Sequence, residues 1–552
     1  MTEILARLFG EASEEEVDKI CYLSLGRLAP LYEGIEFNLA EKLMVRALAR
    51  AFGAAEAQVK RIFKKIGDLG DVAYQLRITN YELRIKNLSV SEVYDRLWEI
   101  AKDAGEKSVE RKINKMAALI SELDALGAKY VVRIPLGRVR LGFSDLTILD
   151  ALSWMVNGDK SKRVVIEGAF SVRADIGQIA RLIKEKGLRG LEAVHVSLGV
   201  PVMPALCQRL PNVEEMIKKM GQVAVEPKYD GTRLQIHWQK QNHQTKIFTR
   251  NLENVTLMFP DIVLALEKEV KATEVILDGE AIGFDPKTKK FLPFQETIKR
   301  KRKYDVGQTA KEIPLKYFVF DILLKDGQDL LKMPFAQRRR ALEETLWMTN
   351  KKILISPQIV TDEVQVLRQF YDEQIKKGLE GVVVKKWQAP YDPGRRGFTW
   401  VKLKSEKGKK GGSLADTLDC VVMGYYKGKG KRASFGIGAF LVGVRKKEQF
   451  LTISKIGTGL SDEQWKKLKA QSSKLKAKSQ PKEYEVDKNL APDVWCEPQI
   501  VVEIQADNIT KSPIHSAGLA LRFPRLIRFR EDKSAEEATT LTEAKKLYGL
   551  QK

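Results

Sequence analysis

Cysteine is scarce. The four in 552 residues, Cys21, Cys207, Cys420 and Cys496, lie far apart and form no C-x-x-C pair. That spacing excludes a zinc module and a disulfide framework and suits a reducing interior compartment. No stretch approaches the roughly 18 consecutive apolar residues of a membrane-crossing helix. The N-terminal MTEILARLFGEASEEE carries acids where a secretory signal has basic residues ahead of an apolar run. No internal repeat is found. These absences lead to the expectation of a soluble intracellular protein with no membrane partner.

Positive charge is abundant. Lys and Arg number 95 against 72 Asp and Glu, a formal charge of +23, with a sequence pI of about 9.5. Such a balance suits a polyanion, nucleic acid first of all, although an excess of surface lysine gives the same composition. The length exceeds one core, since domains usually run about 100–200 residues. Three domains are expected, at 1–205, 206–407 and 408–552.

From residue 1 to about 205 the pattern is helical. Candidate capping boxes stand at Ser13/Glu16, Asn38/Glu41 and Ser89/Glu92, each followed by apolar residues at helical spacing. One extended piece is expected there, Tyr130 to Pro135, ahead of a turn at Gly137. Near Gln222 the period changes. QVAVEPKYDGTRLQIHW alternates as half-buried strands do, with a Gly turn between its two runs, and IFTR, VILDGE, YFVFD and GVVVKKW follow. Helical stretches at Phe335–Trp347 and Val364–Lys377 make this region α+β. SEKGKKGGS, 405–413, has the composition of a hinge. Beyond it DCVVMGYY, GAFLVGVR and PQIVVEIQ, with a basic helix from Ser461 to Lys478, fit a small β-barrel of the oligonucleotide-binding (OB) type.

Lys228-Tyr229-Asp230-Gly231 falls between two of the strands, which presents the lysine at a turn or strand end beside a pocket. A lysine amine is a nucleophile only when neutral, and a reference pKa of about 10.4 means that nearby cations or a metal must lower it. Lys, Asp and Gly are also common in plain surface turns. The ordered series after the turn carries the reading: Arg233, Arg250-Asn251, an acidic turn Asp278-Gly279-Glu280, Phe320-Asp321, Glu380-Gly381 before a strand ending at Lys385, and Trp400-Val401-Lys402-Leu403-Lys404. Lys402 and Lys404, two apart in a strand, emerge on one face and can grip neighbouring phosphate oxygens. Glu280 and Glu380, each beside a glycine at a strand end, can reach a hard divalent ion shared with phosphates, or stand as surface acids.

This series resembles the motifs of the covalent nucleotidyltransferases, the polynucleotide ligases and messenger-RNA capping enzymes, and above all the ATP-dependent DNA ligases of archaea and eukaryotes. The likeness covers nearly the whole chain, down to LRFPRLIRFREDK at 521–533, where Arg530-Glu531-Asp532-Lys533 resembles the final R-x-D-K motif. It implies a multi-domain fold: an all-α N-terminal DNA-binding domain, an α+β nucleotidyltransferase (adenylation) domain and a C-terminal OB-type β-barrel. It also implies nick sealing in replication, repair and recombination.

By the same resemblance Lys228 attacks the α-phosphate of ATP and Glu226 recognises the adenine amino group. Arg233 and Arg250 hold the ribose and phosphate region, and Phe320 stacks on the base. Glu280 and Glu380 serve the metal and sugar, with Mg²⁺ expected and Mn²⁺ an alternative. Arg396, Lys402 and Lys404 contact nucleotide phosphates, and Arg530, Asp532 and Lys533 swing over the pyrophosphate. Asp230 orients the turn.

In the helical region Gly105-Glu106-Lys107-Ser108 opens a helix bearing Arg111, Lys112 and Lys115, where backbone N–H groups can bind a phosphate. Arg133, Arg138 and Arg140 flank the turn at Gly137. These resemble the ligase segments that touch duplex DNA, so Ser108, Arg133, Arg138 and Arg140 are the expected DNA contacts. Lys107 stands where the family's G-x-G-S has its second glycine. The implied partner of a monomeric chain is nicked double-stranded DNA. The resemblance leaves room for a sliding clamp, although no clamp-binding peptide stands out.

Capping guanylyltransferases and RNA ligases share K-x-D-G, but the helical half and the LRFPR…REDK ending weigh against them. A bacterial NAD-dependent ligase would need a four-cysteine zinc module and a nicotinamide-binding segment. A non-catalytic DNA clamp would not retain the reactive residue of every motif.

Overall fold

The computed structural model describes residues 2–404, 417–428 and 436–550, apart from Tyr81, Leu83, Pro211, Lys289, Lys303, Met348, Arg395 and the side chains of Arg209 and Arg396. The hinge expected at 405–413 lies outside the described residues. The backbone gathers into two compact units, Met1–Leu403 and Lys404–Lys552. Among the described residues no helix is long and apolar enough to cross a membrane.

The first unit begins with helices from Thr2–Glu11 to Ile176–Lys186. Ser89 and Glu92 form the expected reciprocal box at the head of the helix Val90–Lys102. The other two boxes do not form. The helix Val17–Ser24 starts after Glu16 with no side-chain cap, and the Ser13 hydroxyl donates to the Glu16 carboxylate at 3.2 Å instead. The helix Glu41–Ala51 follows Ala40, while Asn38 sits at φ +54° outside it. The extended piece expected at Tyr130–Pro135 is largely helix, Ala125–Arg133, capped by Asp124. Ala128, Val131 and Val132 are all buried on one helical face, and that burial outweighs the strand preference of Tyr-Val-Val.

Among the described residues twelve strands follow: β1 (Leu206–Arg209), β2 (Val223–Pro227), β3 (Thr232–Gln239), β4 (Gln244–Thr249), β5 (Glu274–Asp285), β6 (Lys290–Phe291), β7 (Leu315–Lys325), β8 (Gln328–Asp329), β9 (Ile353–Ile355), β10 (Ile359–Thr361), β11 (Gly381–Lys386) and β12 (Arg396–Lys404). They form two sheets, ordered β1-β12-β11-β2-β10 and β4-β3-β5-β7-β8. The two runs of QVAVEPKYDGTRLQIHW are therefore no hairpin: β2 belongs to the first sheet and β3 to the second. Lys228 stands where the chain crosses between them. In strand β3 Leu234, Ile236 and Trp238 pack into a core shared with the helix Pro260–Glu269, but Gln235 and His237 between them are buried too, so the strand is covered on both faces and not half-buried as expected.

The second unit holds β13 (Leu418–Lys427), β14 (Ile437–Lys446), β15 (Gln449–Ile456), β16 (Tyr484–Glu485), β17 (Val494–Trp495), β18 (Val501–Gln505), β19 (Asn508–Lys511), β20 (Leu519–Arg522) and β21 (Arg525–Phe529). Their main sheet runs β16-β15-β14-β13-β18-β21, with β17 on β13 and β19 paired to β20. The basic helix, Asp462–Lys474, is capped by Ser461 and Gln464 and buries Trp465 and Leu468 in the core of this unit.

Candidate active site

Strand β2 is buried along its length, so its one charged residue, Glu226, must find its partner inside the protein. It finds Lys385 on the neighbouring β11. Val384 pairs with Val225 and Lys385 with Ala224, which puts Glu226 and Lys385 diagonally on one face of the sheet. Their ion pair measures 2.9 Å, and Lys385 Nζ also donates to the Phe320 carbonyl at 2.6 Å. Burial pushes the Glu226 carboxyl up and the Lys385 ammonium down. Arg339 reaches Glu226 at 4.0 Å.

Immediately after β2, the Lys228 N–H donates to the Gly381 carbonyl at 2.9 Å, tying the K-Y-D-G turn to the head of β11. The Lys228 ammonium pairs with Glu380. Tyr229 is held by stacking on Phe318, rings 4.6 Å apart. Gly231 presses so close to β5 that a Cβ there would collide with the Ala281 carbonyl oxygen, which explains the glycine at this place.

The residues expected as an acidic turn, Asp278-Gly279-Glu280, lie in the middle of β5. Gly279 is required there by contact, since a Cβ would meet the Phe318 carbonyl oxygen and the Tyr317 ring at 2.6 Å. Glu280 is thus no strand-end acid. It sits opposite Arg233 of β3, and burial pushes its carboxyl up to about 7 against the pull of Lys228 and Arg233. Glu380 does precede its strand, as expected.

Arg233 is held on several sides. Its guanidinium makes two bonds to Asp278, 3.0 and 2.7 Å, and one to the Ala205 carbonyl at 2.7 Å. It lies over the rings of Phe320 and Trp400. Arg250 is exposed, and it lines, with Arg233, Thr249 and Asp278, a cavity of about 10 Å³ under Pro201–Pro204. Phe320 meets Trp400 edge to face at 5.8 Å. Along β12, Val401 and Leu403 are buried while Lys402 and Lys404 share the opposite face with Trp400. Arg396 opens that strand, and its side chain lies outside the described residues.

The structure thus brings Glu226, Lys228, Arg233, Glu280, Phe320, Glu380 and Lys402 together on inner strands of the two sheets and the turn that joins them. Among the described residues no three His, Cys, Asp or Glu gather into a metal-holding group. Lys385, Asp278 and Tyr391, whose hydroxyl donates to Asp278 at 2.8 Å, are parts of the site that local pattern did not single out for a role. Their partners lie far away in the chain, and spacing carries no signal for such pairs.

The second unit holds the final motif. Arg530 donates to Asp532 within the motif, at 2.9 Å, and to Asp419 of β13, also at 2.9 Å. Lys533 shares Asp419 at 2.7 Å. Asp419 is a participant that sequence reading missed.

In the helical region the expected contacts divide. Ser108 is the first residue of the helix Ser108–Glu122, and Lys107 before it has φ +57° with no side-chain cap. The left-handed conformation that a glycine would take is kept with lysine in it, at a cost of about 1 kcal/mol. Lys112 is buried, donating to the Phe37 and Ala101 carbonyls, and Arg111 and Lys115 pair with Asp103. Arg133 is a correction: its side chain is buried and bonded to Asp68 and Asp71, so it ties the helix Leu69–Thr79 to its own helix and does not face a ligand. Arg138 and Arg140 are exposed, each with one ion pair, to Glu41 and Asp68.

Three models of one family match the chain in order. Residues 1–153 match the DNA ligase N terminus, 204–404 the ATP dependent DNA ligase domain and 433–533 the ATP dependent DNA ligase C terminal region. The chain is 44% identical over 562 residues to a probable DNA ligase of Dictyoglomus turgidum, covering 100% of this chain and 94% of the relative. To the DNA ligase of Sulfolobus acidocaldarius it is 36% identical over 572 residues, covering 99% and 94%. The solved structure named Pmar-Lig_Pre matches 81% of the chain and 86% of its own, with a TM-score of 0.51 at 17% identity, a likeness of fold.

Proposed function

The chain belongs to the ATP-dependent DNA ligase family, enzymes that seal nicks in DNA, and from that premise we propose that Lys228 is the residue that carries AMP. The observation that carries this reading is the placement of Lys228 at the crossing between two sheets, paired with Glu380 and within electrostatic range of Glu280. Phosphoryl transfer needs positioning and charge neutralisation more than covalent help, and the surrounding side chains supply both.

In the first step the neutral Lys228 amine attacks the α-phosphorus of ATP. A P–N bond forms, the α–β P–O bond breaks, pyrophosphate leaves and the amine loses a proton. An amine held as an ammonium on Glu380 is no nucleophile, so that contact is given up first. The AMP then passes to the 5′-phosphate of the nick, freeing Lys228. Last, the 3′-hydroxyl attacks that phosphate and AMP departs as the leaving group.

Glu226 accepts from the adenine amino group, Phe320 stacks on the base, and Arg233 with Arg250 borders the ribose and α-phosphate. Lys402 and Lys404, with Arg396 on the same strand, neutralise phosphate oxygens. Arg530, Asp532 and Lys533 serve the pyrophosphate. Glu280 and Glu380 are hard oxygen donors near Lys228. Two carboxylates with nucleotide phosphates suit Mg²⁺, which is seldom held in an all-protein cage; when bound it would neutralise charge on the phosphate oxygens. The three-domain division 1–205, 206–407 and 408–552 is part of the proposal, with an OB-type barrel in the last, nicked duplex DNA as partner, a monomeric chain, and roles in replication, repair and recombination. Ser108, at a helix start without a side-chain cap, and the exposed Arg138 and Arg140 would grip phosphates.

The test offers α-labelled ATP, GTP and NAD separately. Label from ATP alone, removed by nicked DNA, is the expected result. Label from GTP or NAD, or label that nicked DNA does not remove, would contradict it.

A further inference from the structure

Strand β3 turns one face to the core and the other, through Arg233, Gln235 and His237, to the segment 197–205. This segment joins the helical region to β1, and it is bonded on both sides. Outward, the Met203 N–H donates to the Ser171 carbonyl at 2.8 Å, and the Pro201 carbonyl accepts from Ala174 at 3.4 Å. Inward, the Gln235 side chain takes both main-chain groups of Val202, accepting from its N–H at 2.8 Å and donating to its carbonyl at 3.0 Å. The Ala205 carbonyl accepts from Arg233, and the Ala205 N–H donates to the Tyr391 hydroxyl at 2.9 Å, which in turn donates to Asp278.

His237 completes the row. The Gly199 N–H donates to its Nδ1 at 3.1 Å, so Nδ1 must be unprotonated. Its Nε2 lies 2.9 Å from Gln235 Oε1, an acceptor, so Nε2 must carry the proton. Both ring nitrogens are thus satisfied only in one neutral tautomer. A second proton would point at the Gly199 N–H. Burial works in the same direction, pulling the imidazole down to about 3.

We propose that Gln235 and His237 are positioning residues: by pinning the segment 197–205 they set the Ala205 carbonyl and Tyr391 hydroxyl that hold Arg233 and Asp278, and so govern nucleotide affinity. The inference rests on the reading of Lys228 as the adenylated residue. Neither side chain touches the nucleotide in this scheme. They act through a connector whose polar main-chain groups would otherwise be buried without partners. Removing the Gln235 amide loosens the segment and lets the Arg233 guanidinium drift, which weakens binding of the ground state and leaves the chemical step unaltered.

Gln235→Met keeps the shape and loses the hydrogen bonds. In this variant the KM for ATP in Lys228 labelling should rise on the order of tenfold with the limiting rate held within about twofold. An unchanged KM, or a lowered limiting rate at unchanged KM, overturns the proposal. Failure of the wild-type protein to take any label overturns the reading of Lys228 together with this inference; a labelled wild type beside a variant of unchanged KM overturns this inference alone. A second measurement needs no variant. The chain has four histidines, and nitrogen NMR of the intact protein should show His237 neutral with its proton on Nε2 between about pH 5 and 8. A proton on Nδ1, or a charged ring in that range, overturns the hydrogen-bond scheme and the proposal with it.

Discussion

The charges around Lys228 and those at the Gly137 turn of the helical region look alike in the sequence, yet the structure treats them oppositely. Around Lys228 they interlock: Glu226 with Lys385 and Arg233 with Asp278 in the interior, and Lys228 with Glu380, half-buried, beside them. At the turn, Arg138 and Arg140 keep 67% and 44% of their side-chain surface in water, paired with Glu41 and Asp68. An interior charge must have its partner in place before any ligand arrives, because desolvation is otherwise uncompensated. A surface arginine has no such demand, and the exposed Arg138–Glu41 pair contributes only about 0–1 kcal/mol. The proposed nucleotide pocket is therefore preorganised, and the helical surface is adaptable.

The largest expected effect breaks the interior half of this contrast at its reactive member. Lys228→Ala should take up no AMP from labelled ATP, yet still seal a nick that is already adenylated at its 5′ end. Labelling of this variant would show that another residue is the nucleophile.

Next in size is Lys385→Met, which leaves Glu226 buried alone. Losing one partner of a buried pair costs about 3–5 kcal/mol, to be read as a lowered denaturant midpoint at neutral pH. The loss should shrink as the pH falls and Glu226 takes up a proton. A midpoint within experimental scatter of wild type would mean that the interior charges are not interdependent.

A third, about tenfold, effect concerns Glu280, whose carboxyl burial has pushed up to about 7. Only the deprotonated form can serve a metal. The Mg²⁺ requirement for labelling should therefore fall as the pH rises from about 6 to 8, by up to about tenfold per pH unit below the pKa. Glu280→Gln should flatten that dependence. For stability the sign is opposite: a carboxyl with a raised folded pKa favours the folded state below the unfolded pKa, and that contribution is lost as pH rises through about 7. A pH-independent Mg²⁺ requirement in the wild type would remove Glu280 from metal service.

The smallest effect sharpens the surface half. If Arg138 and Arg140 each neutralise one phosphate, replacing both by alanine should flatten the log–log salt slope of nick binding by up to about two units. Adenylation of Lys228 should survive, since that step needs no DNA. An unaltered slope would leave these arginines as solvated surface, whereas lost labelling would show that the helical region enters the nucleotide pocket. Arg133→Ala is the control: as part of a buried pair it should lower stability and leave the slope alone.

Much of this protein is legible from residues near one another in the chain. The Ser89 cap, the basic helix that begins at Ser461, the spacing of apolar residues in β3, and the order of motifs from Lys228 to Lys404 all depend on neighbours within a turn or a strand. Local signals failed where a longer-range term competed, as at Asn38, Ser13 and Tyr130–Pro135.

What the chain alone determined was its chemistry: the kinds of reactive residue, their order, the excess of positive charge and the change from helical to strand period. Tertiary structure alone decided which charges are buried in pairs and which stay exposed. It sent β2 and β3 into different sheets, put Glu280 in mid-strand, matched Glu226 with Lys385 and Arg233 with Asp278, and withdrew Arg133 from the surface. The reason is physical. Helix caps and strand alternation are settled by interactions over a few residues, whereas desolvation and ion pairing depend on which distant segment covers a side chain.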